Sequence, residues 1–278
     1  MKILFPTDFS NAAENAYVYA LKLAEKLNAG ITVVHVYQEL QLHTWVENSL
    51  NLKEFNESVA IEEFEQFRDQ IELLKRIAVE NRLGDIEVNY ALRESDYVVE
   101  AILQESREDD ADLIVMGTAG ASGLKEIFFG SVASKVMEAS GCPVLLIPDT
   151  ANYRGIEKIG LTLEYKPGEM ELIEKALEIS RRLGAQLHCL HVDVYDPERV
   201  KVKIVEYKKS FAHAPDIRFH VYKELDVEKG ILEFMKFNQF DMVIMRVHHQ
   251  SVLKELFSYS VAKRVAYHSD IPLIALHG

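Results

Sequence analysis

The chain carries one 37-residue segment twice, and only one copy keeps its glycines. The first copy, DLIVMGTAGASGLKEIFFGSVASKVMEASGCPVLLIP, runs from Asp112 to Pro148. The second, DMVIMRVHHQSVLKELFSYSVAKRVAYHSDIPLIALH, runs from Asp241 to His277. They align without a gap at an offset of 129, with 13 identities. Gly117 becomes Arg246, Gly120 becomes His249 and Gly130 becomes Tyr259. One fold must therefore occur twice. Only the first occurrence retains residues that let a backbone close around a phosphate.

The rest of the chain agrees with a duplicated α/β unit. Short apolar runs alternate with longer amphipathic stretches. Lys2–Pro6 reads as a buried strand, and Asn11–Leu27 as a helix with Ala13, Ala16, Tyr17, Ala20, Leu21 and Ala24 on one face. Gly30 is expected to close that helix, ahead of a strand over Ile31–Val36. Glu57–Asn81 reads as a helix, Ile86–Leu92 as a strand and Tyr97–Glu105 as a helix. Leu113–Met116 is a strand ending at Gly117, Ser131–Ser140 a helix stopped by Gly141 and Pro143, and Val144–Ile147 a last strand. The order βαβαβαβαβ calls for a parallel sheet with helices on both faces.

The second half repeats the order. Lys158–Leu163 matches Lys2–Thr7 at an offset of 156, and Leu187–Val192 matches Ile31–Val36, pairing His35 with His191. The offset later falls to 129 because the first copy has an extra stretch, Tyr37–Asn56, which holds the only tryptophan, Trp45. Asp149–Arg154 is a polar linker, so the expected division is residues 1–150 and 151–278. The apolar last strands, Val144–Ile147 and Leu273–Ile274, are edges that invite pairing.

Composition narrows the partners. Lys and Arg number 31 against 44 Asp and Glu, a net charge of −13, and no basic stripe appears. Nucleic acid and anionic membranes are therefore not expected partners. No run of 18 apolar residues occurs, and MKILFPTDFS has no signal-like apolar core, so the expected setting is the cytoplasm. Cys142 and Cys189 read as buried small hydrophobes.

In open parallel sheets, ligands bind at the carboxyl ends of strands where the strand order reverses. Three loops should converge there: Pro6-Thr7-Asp8-Phe9-Ser10, the strand end at Val36, and Met116 through Ser131. Gly117 and Gly120 would allow positive φ and close approach. Gly130-Ser131 opens a helix whose free N–H groups suit an anion. Asp8 has two readings, a ligand to a ribose or adenine group and a partner in capping the first helix, and Ser131 likewise.

The spacing Gly117-x2-Gly120-x9-Gly130-Ser131 resembles the nucleotide-binding pattern of the ATP-binding universal stress proteins, and ILFPTDFS and VVHV resemble that family's first two strands. The resemblance spans the chain as a tandem pair. It implies two five-stranded sheets of order 3-2-1-4-5 that pair through their last strands as a pseudo-twofold dimer within one chain, with homodimerisation of the whole chain also open. It implies ATP, alone or with Mg or Mn, or another adenine nucleotide, as the ligand. Asp8 and the backbone of Val36 would hold adenine, Gly117 and Gly120 would line ribose and phosphates, and Gly130 and Ser131 would hold phosphates. Pro6, Thr7 and Met116 complete the expected site.

The second half departs from that pattern. Glu164 stands at Asp8's position and all three glycines are replaced; Ser260 survives and is expected to cap its helix. Arg246, His248 and His249 either bind a different anion or fill a vestigial site. Eight of ten histidines lie in this half. His188 and His191, three apart on a strand, point to opposite faces and cannot chelate together. Glu105–Asp110 reads as a solvated helix end. The expected function is a stress-linked binding or signalling module. Any ATP hydrolysis would be weak, because no residue is placed as a general base. An adenylating enzyme of the wider fold and a pure interaction protein are the alternatives.

Overall fold

A computed structural model describes residues 1–38, 49–118, 130–194, 197–247 and 256–277, with backbone only at 49–60, 197–199 and 256–259. The first half runs β1 (Lys2–Pro6), α1 (Asn11–Leu27), β2 (Gly30–Tyr37), α2 (Ser49–Glu80), β3 (Val88–Glu94), α3 (Val98–Glu108), β4 (Leu113–Gly117), α4 (Ser131–Ala139) and β5 (Val144–Ile147). The second runs β6 (Lys158–Thr162), α5 (Glu169–Arg182), β7 (Gln186–Asp193), α6 (Pro197–Ser210), β8 (Ile217–Lys223), α7 (Val227–Phe237), β9 (Met242–Val247), α8 (Leu256–His268) and β10 (Leu273–His277).

Ten strands form one continuous sheet of order β3-β2-β1-β4-β5-β10-β9-β6-β7-β8. Each half is parallel and has the expected 3-2-1-4-5 order. The halves meet at β5 and β10, which pair antiparallel with Leu145 opposite Ile274. The apolar edges left by each half thus cover one another, and the strands of the two halves run in opposite directions about a pseudo-twofold axis.

Alternation along the strands divides the core. Ile3, Phe5, Leu145 and Ile274 join α1, α2, α5 and α6 on one face. Leu4, Leu146 and Leu273 join α3, α4, α7 and α8 on the other. Both layers cross the seam without interruption, so the halves share their hydrophobic core. Asn15 adds a polar tie, donating to the carbonyls of Pro148 (3.3 Å) and Ala151 (2.8 Å) at the start of the linker.

Several local expectations need correction. Asn28, not Gly30, ends α1: it sits at φ 50 and its N–H reaches the Ala24 and Glu25 carbonyls. The side-chain amide makes asparagine tolerant of this left-handed conformation, and Gly30 is already strand. The second helix begins by Ser49, inside the stretch read as extra loop. Glu105 is 5% exposed and pairs with Arg93, so the acidic run is not simply solvated. Ser260 lies inside α8 and is not its cap. Both cysteines are free, but only Cys189 is buried; Cys142 is half-buried in a turn.

Candidate functional site

The strand order reverses between β1 and β4: β1 leads toward β2, and β4 leads toward β5. β1 pairs with β2 as far as Pro6–Val34, but with β4 only at Ile3 and Leu4. The two strands part toward their carboxyl ends, leaving a crevice of the kind open α/β sheets use for ligands. Pro6, Thr7 and Asp8 emerge on one side of it, and Met116, Gly117 and Thr118 on the other.

On the β1 side the chain turns sharply. Phe9 adopts φ 56, a left-handed conformation that costs a bulky residue about 1–2 kcal/mol. The turn is held by Thr7 Oγ1 accepting the Phe9 N–H (3.0 Å) and by Asp8 Oδ1 accepting the Ser10 N–H (3.1 Å) and hydroxyl (2.7 Å). Ser10 Oγ in turn accepts the Ala13 N–H (3.3 Å) and caps α1. Ser10 is therefore the cap, and exposed Asp8 braces it. Phe9 packs against His35 with ring centres 4.8 Å apart and planes tilted by 39°, and His35 stacks on Phe67 at 6.2 Å. His35 Nδ1 lies 2.8 Å from the Thr7 carbonyl oxygen. These groups line a cleft of about 460 Å³ together with Asp8, Glu63, Gln66, Asp69 and Gln70. Its aromatic wall and acidic rim suit a planar base and hydroxyl or amino donors, and repel phosphate.

On the β4 side, Thr118 donates its N–H to the Ile147 carbonyl (3.0 Å), and its own carbonyl accepts the Gly130 N–H (2.8 Å). Residues 119–129, among them Gly120, lie outside the described residues. A Cβ on Gly130 would stand 3.1 Å from the Thr118 oxygen, so the Thr118–Gly130 hydrogen bond leaves room for little but glycine. Gly130 is the N-cap of α4 and supplies no side-chain cap. The first-turn N–H groups of α4, with Ser131 exposed beside them, keep the positive end of the helix available to an anion.

Positive φ is not what Gly117 and Gly130 provide. Gly117 ends β4 in extended conformation, paired with Ile147. Gly130 has φ −48. At Gly130 the requirement is space. Val36 and Met116 pack on the α3–α4 face of the sheet: Met116 is buried, and Val36 borders the same cluster. Among the expected site residues, then, Pro6, Thr7, Asp8, Val36, Met116, Gly117, Gly130 and Ser131 all gather at one end of β2, β1 and β4. Phe9 lies in the loop expected there, whereas His35 and Phe67 are additions that the sequence reading missed. The signal was present: His35 aligns with His191, and Phe9 with Tyr165.

The second half builds the same turn and then closes it. Tyr165 has φ 58 and packs against His191 with ring centres 4.2 Å apart in a tilted contact, and His191 Nδ1 lies 2.8 Å from the Leu163 carbonyl oxygen. Where the first half has Ala13, this half has Glu169, only 3% exposed. Its carboxylate accepts the N–H groups of Glu164 (2.5 Å) and Tyr165 (3.0 Å) and the Tyr207 hydroxyl (2.9 Å). Burial raises its pKa, partly offset by these donors. Arg246, in Gly117's position, donates to the Pro167 carbonyl (2.9 Å) across the mouth of the crevice. α8 is already helical at Leu256, four residues ahead of Ser260, so the helix start at Ser131 has no counterpart at Ser260. His248 and His249 lie outside the described residues, as do Trp45 and the side chain of Tyr259.

Two further histidines form a pair unforeseen in the sequence. His188 and His191 do take opposite faces, but His188 stacks parallel to His220 on the neighbouring strand, with Nδ1 3.0 Å from His220 Nε2. Burial, then His220, lowers the His188 pKa to about 4. Among the described residues no group of three or more His, Cys, Asp or Glu is arranged to hold a metal, and no helix is long and apolar enough to cross a membrane.

The sequence model for the universal stress protein family matches residues 1–148 and again 155–277. Universal stress protein MJ0577 of Methanocaldococcus jannaschii is 30% identical over 152 residues, covering 52% of this chain and 93% of that protein. Universal stress protein YxiE of Bacillus subtilis is 31% identical over 148 residues, covering 52% and 97%. The crystal structure of a universal stress protein from Archaeoglobus fulgidus covers 99% of this chain and 98% of its own, with a TM-score of 0.70 at 19% identity. A universal stress protein solved in complex with cAMP matches 53% of this chain and 96% of its own, at 20% identity and a TM-score of 0.36.

Proposed function

Because the chain belongs to the universal stress protein family, we propose that it binds one adenine nucleotide, ATP or a close relative, in its first half and works as a stress-linked binding or signalling module. The binding unit in this reading is residues 1–150, and residues 151–278 are a partner unit that has lost its own site. Mg or Mn would enter with the phosphates as their counter-ion, since the described residues offer no metal cluster of their own.

One observation carries the reading: two copies of one crevice, one open and one closed by its own side chains. The first keeps a cleft of about 460 Å³, within the range of small-molecule sites, and an α4 start without a side-chain cap. The second has Glu169 holding the turn's N–H groups and Arg246 bridging to Pro167. In the first half the base would lie against Phe9 and His35, with Asp8 and the Val36 backbone at its edge. The phosphates would lie away from the acidic rim, over Gly117 and Gly130 and beside Ser131. Native mass spectrometry of the purified chain, followed by calorimetric titration with Mg-ATP, tests this. The expected stoichiometry is one nucleotide per chain. Two per chain, or none under any adenine nucleotide, defeats it.

A further inference from the structure

Two outer helices each expose an apolar pair within a surface of one charge sign, and the two signs are opposite. On α6, Val202 and Val205 are 68% and 64% exposed, while Val200 and Tyr207 take the buried face. The two exposed valines stand three apart and so share one side of the helix. Neither assists folding of the helix, since β-branched residues are weaker helix formers than lysine. Lys201, Lys208 and Lys209 stand four before, three after and four after Val205, so they border it on the surface. The described side chains of α6 include four lysines against one glutamate, in a chain of net charge −13. On α2, Ile61 and Phe64 are 62% and 58% exposed, again three apart, while Phe67 and Leu74 are buried. From Ile61 to Glu72 this helix carries five carboxylates against Arg68 alone, and Arg68 already pairs with Asp69 at 3.4 Å. Apolar patches rimmed by polar groups mark interaction surfaces, and opposite potentials let two such surfaces fit.

The fold keeps these surfaces apart within one molecule. α2 connects β2 to β3, and α6 connects β7 to β8. Those strand pairs are the two ends of the sheet. Eight strand spacings separate the helices, about 38 Å at 4.8 Å each. A chain therefore cannot bring its own α2 to its own α6. A second copy presents the matching surface, with the right charge and the right apolar pair.

We propose that α6 of one copy docks on α2 of another, with Val202 and Val205 against Ile61 and Phe64 and the lysines facing the carboxylates. The two surfaces differ, so the contact is heterologous: each pairing leaves one α2 and one α6 open, and assembly continues head to tail until it closes into a ring or extends as a row. This inference does not depend on nucleotide binding in the first half.

The test is sedimentation velocity on the full chain. Two small helix faces fall at the weak end of interface sizes, so concentrations run to about 200 µM in about 0.05 M NaCl, where charge is little screened. Assembly that grows with concentration is expected, weakened about threefold or more in about 0.5 M NaCl. Ile61→Lys with Phe64→Lys blocks α2, and Val202→Glu with Val205→Glu blocks α6. All four positions are exposed, so native circular dichroism is expected of both variants. Each variant alone should be monomeric. Mixed, they should form a one-to-one dimer that grows no further, because one keeps α6 and the other keeps α2. The proposal is overturned by a wild type that stays monomeric, by assembly that persists in either variant, or by a mixture of the two folded variants that stays monomeric. It is also overturned if α6 binds phosphatidylglycerol vesicles in place of a second copy, seen as co-sedimentation of a monomeric wild type that the α6 variant loses.

Discussion

Replacing Asp8 separates its two roles, and the structure says which replacement to use. Asp8 Oδ1 accepts two hydrogen bonds from Ser10, and Ser10 caps α1. Asp8→Ala removes both and loosens the cap. Hydrogen bonds at such exposed sites are each worth about 0.5–1.5 kcal/mol, so a loss of about 1–2 kcal/mol of apo stability is expected whether or not Asp8 touches a nucleotide. The alanine variant therefore cannot discriminate. Asp8→Asn can: its amide oxygen keeps both bonds from Ser10 while the charge is lost, and apo stability should stay within about 0.5 kcal/mol. If Asp8 accepts from a ribose hydroxyl or an adenine amino group, losing a charged acceptor should weaken binding by about 1–3 kcal/mol. Take a tenfold loss. ATP at 100 times the wild-type dissociation constant stabilises the wild type by about 2.7 kcal/mol, and the variant by only about 1.4 kcal/mol. Differential scanning calorimetry with and without Mg-ATP should then show the ligand-induced rise in Tm cut to about half, and titration should give the tenfold weaker Kd directly. Wild-type affinity in Asp8→Asn, beside a destabilised Asp8→Ala, would refute the ligand role and leave Asp8 as a brace for Ser10 alone.

Copying the closed crevice into the open one, by Gly117→Arg with Gly120→His, should abolish the Mg-ATP shift in Tm. It should leave the apo protein folded, because Gly117 is extended and paired like any strand residue; a surviving shift contradicts the site. Glu169→Ala should cost about 3 kcal/mol in urea unfolding, because the Glu164 and Tyr165 N–H groups and the Tyr207 hydroxyl all lose their shared acceptor; a loss under 1 kcal/mol would mean that water replaces it freely. His188 makes stability depend on pH. Its folded pKa, about 4, lies below the ordinary 6.5, so between those values the unfolded chain binds more protons and stability falls as pH falls through that window. Half-burial reduces the full linkage to about 1–2 kcal/mol. His188→Leu should flatten the slope of unfolding free energy between pH 6.5 and 4, and an unchanged slope would assign it to other groups.

Much of the architecture was legible in the residues, because periodicity and repetition are local properties. The offset of 129 paired β4 with β9 and β5 with β10 before any coordinates, and short apolar runs separated by amphipathic stretches implied the parallel order. The apolar character of Val144–Ile147 and Leu273–Ile274 marked them as edges that invite pairing, and the family resemblance supplied the expectation that they face each other. At the site, the glycine spacing located Gly117, Gly130 and Ser131 at one crevice with Asp8. It misjudged Gly117, which is extended in β4 rather than at positive φ, because backbone φ is not written in residue identity. Only Thr118's carbonyl, brought within 3.1 Å of where a Cβ would stand, shows that Gly130 is a matter of space.

What the chain determined by itself was the duplicated parallel α/β fold and the loss of three glycines from the second copy; the strand order within each half came from the family resemblance. What the tertiary structure decided were the relations between residues far apart in sequence. Glu169 looked like one more acidic residue in a helix until folding buried it against Tyr207, 38 positions away. Arg246 was a lost glycine until its guanidinium reached Pro167, 79 positions away. His188 met His220 because strand register set them diagonally on one face. Each of these is a contact across the sheet or between halves, where geometry depends on how twisted strands and helices stack, and no window along the chain contains both partners.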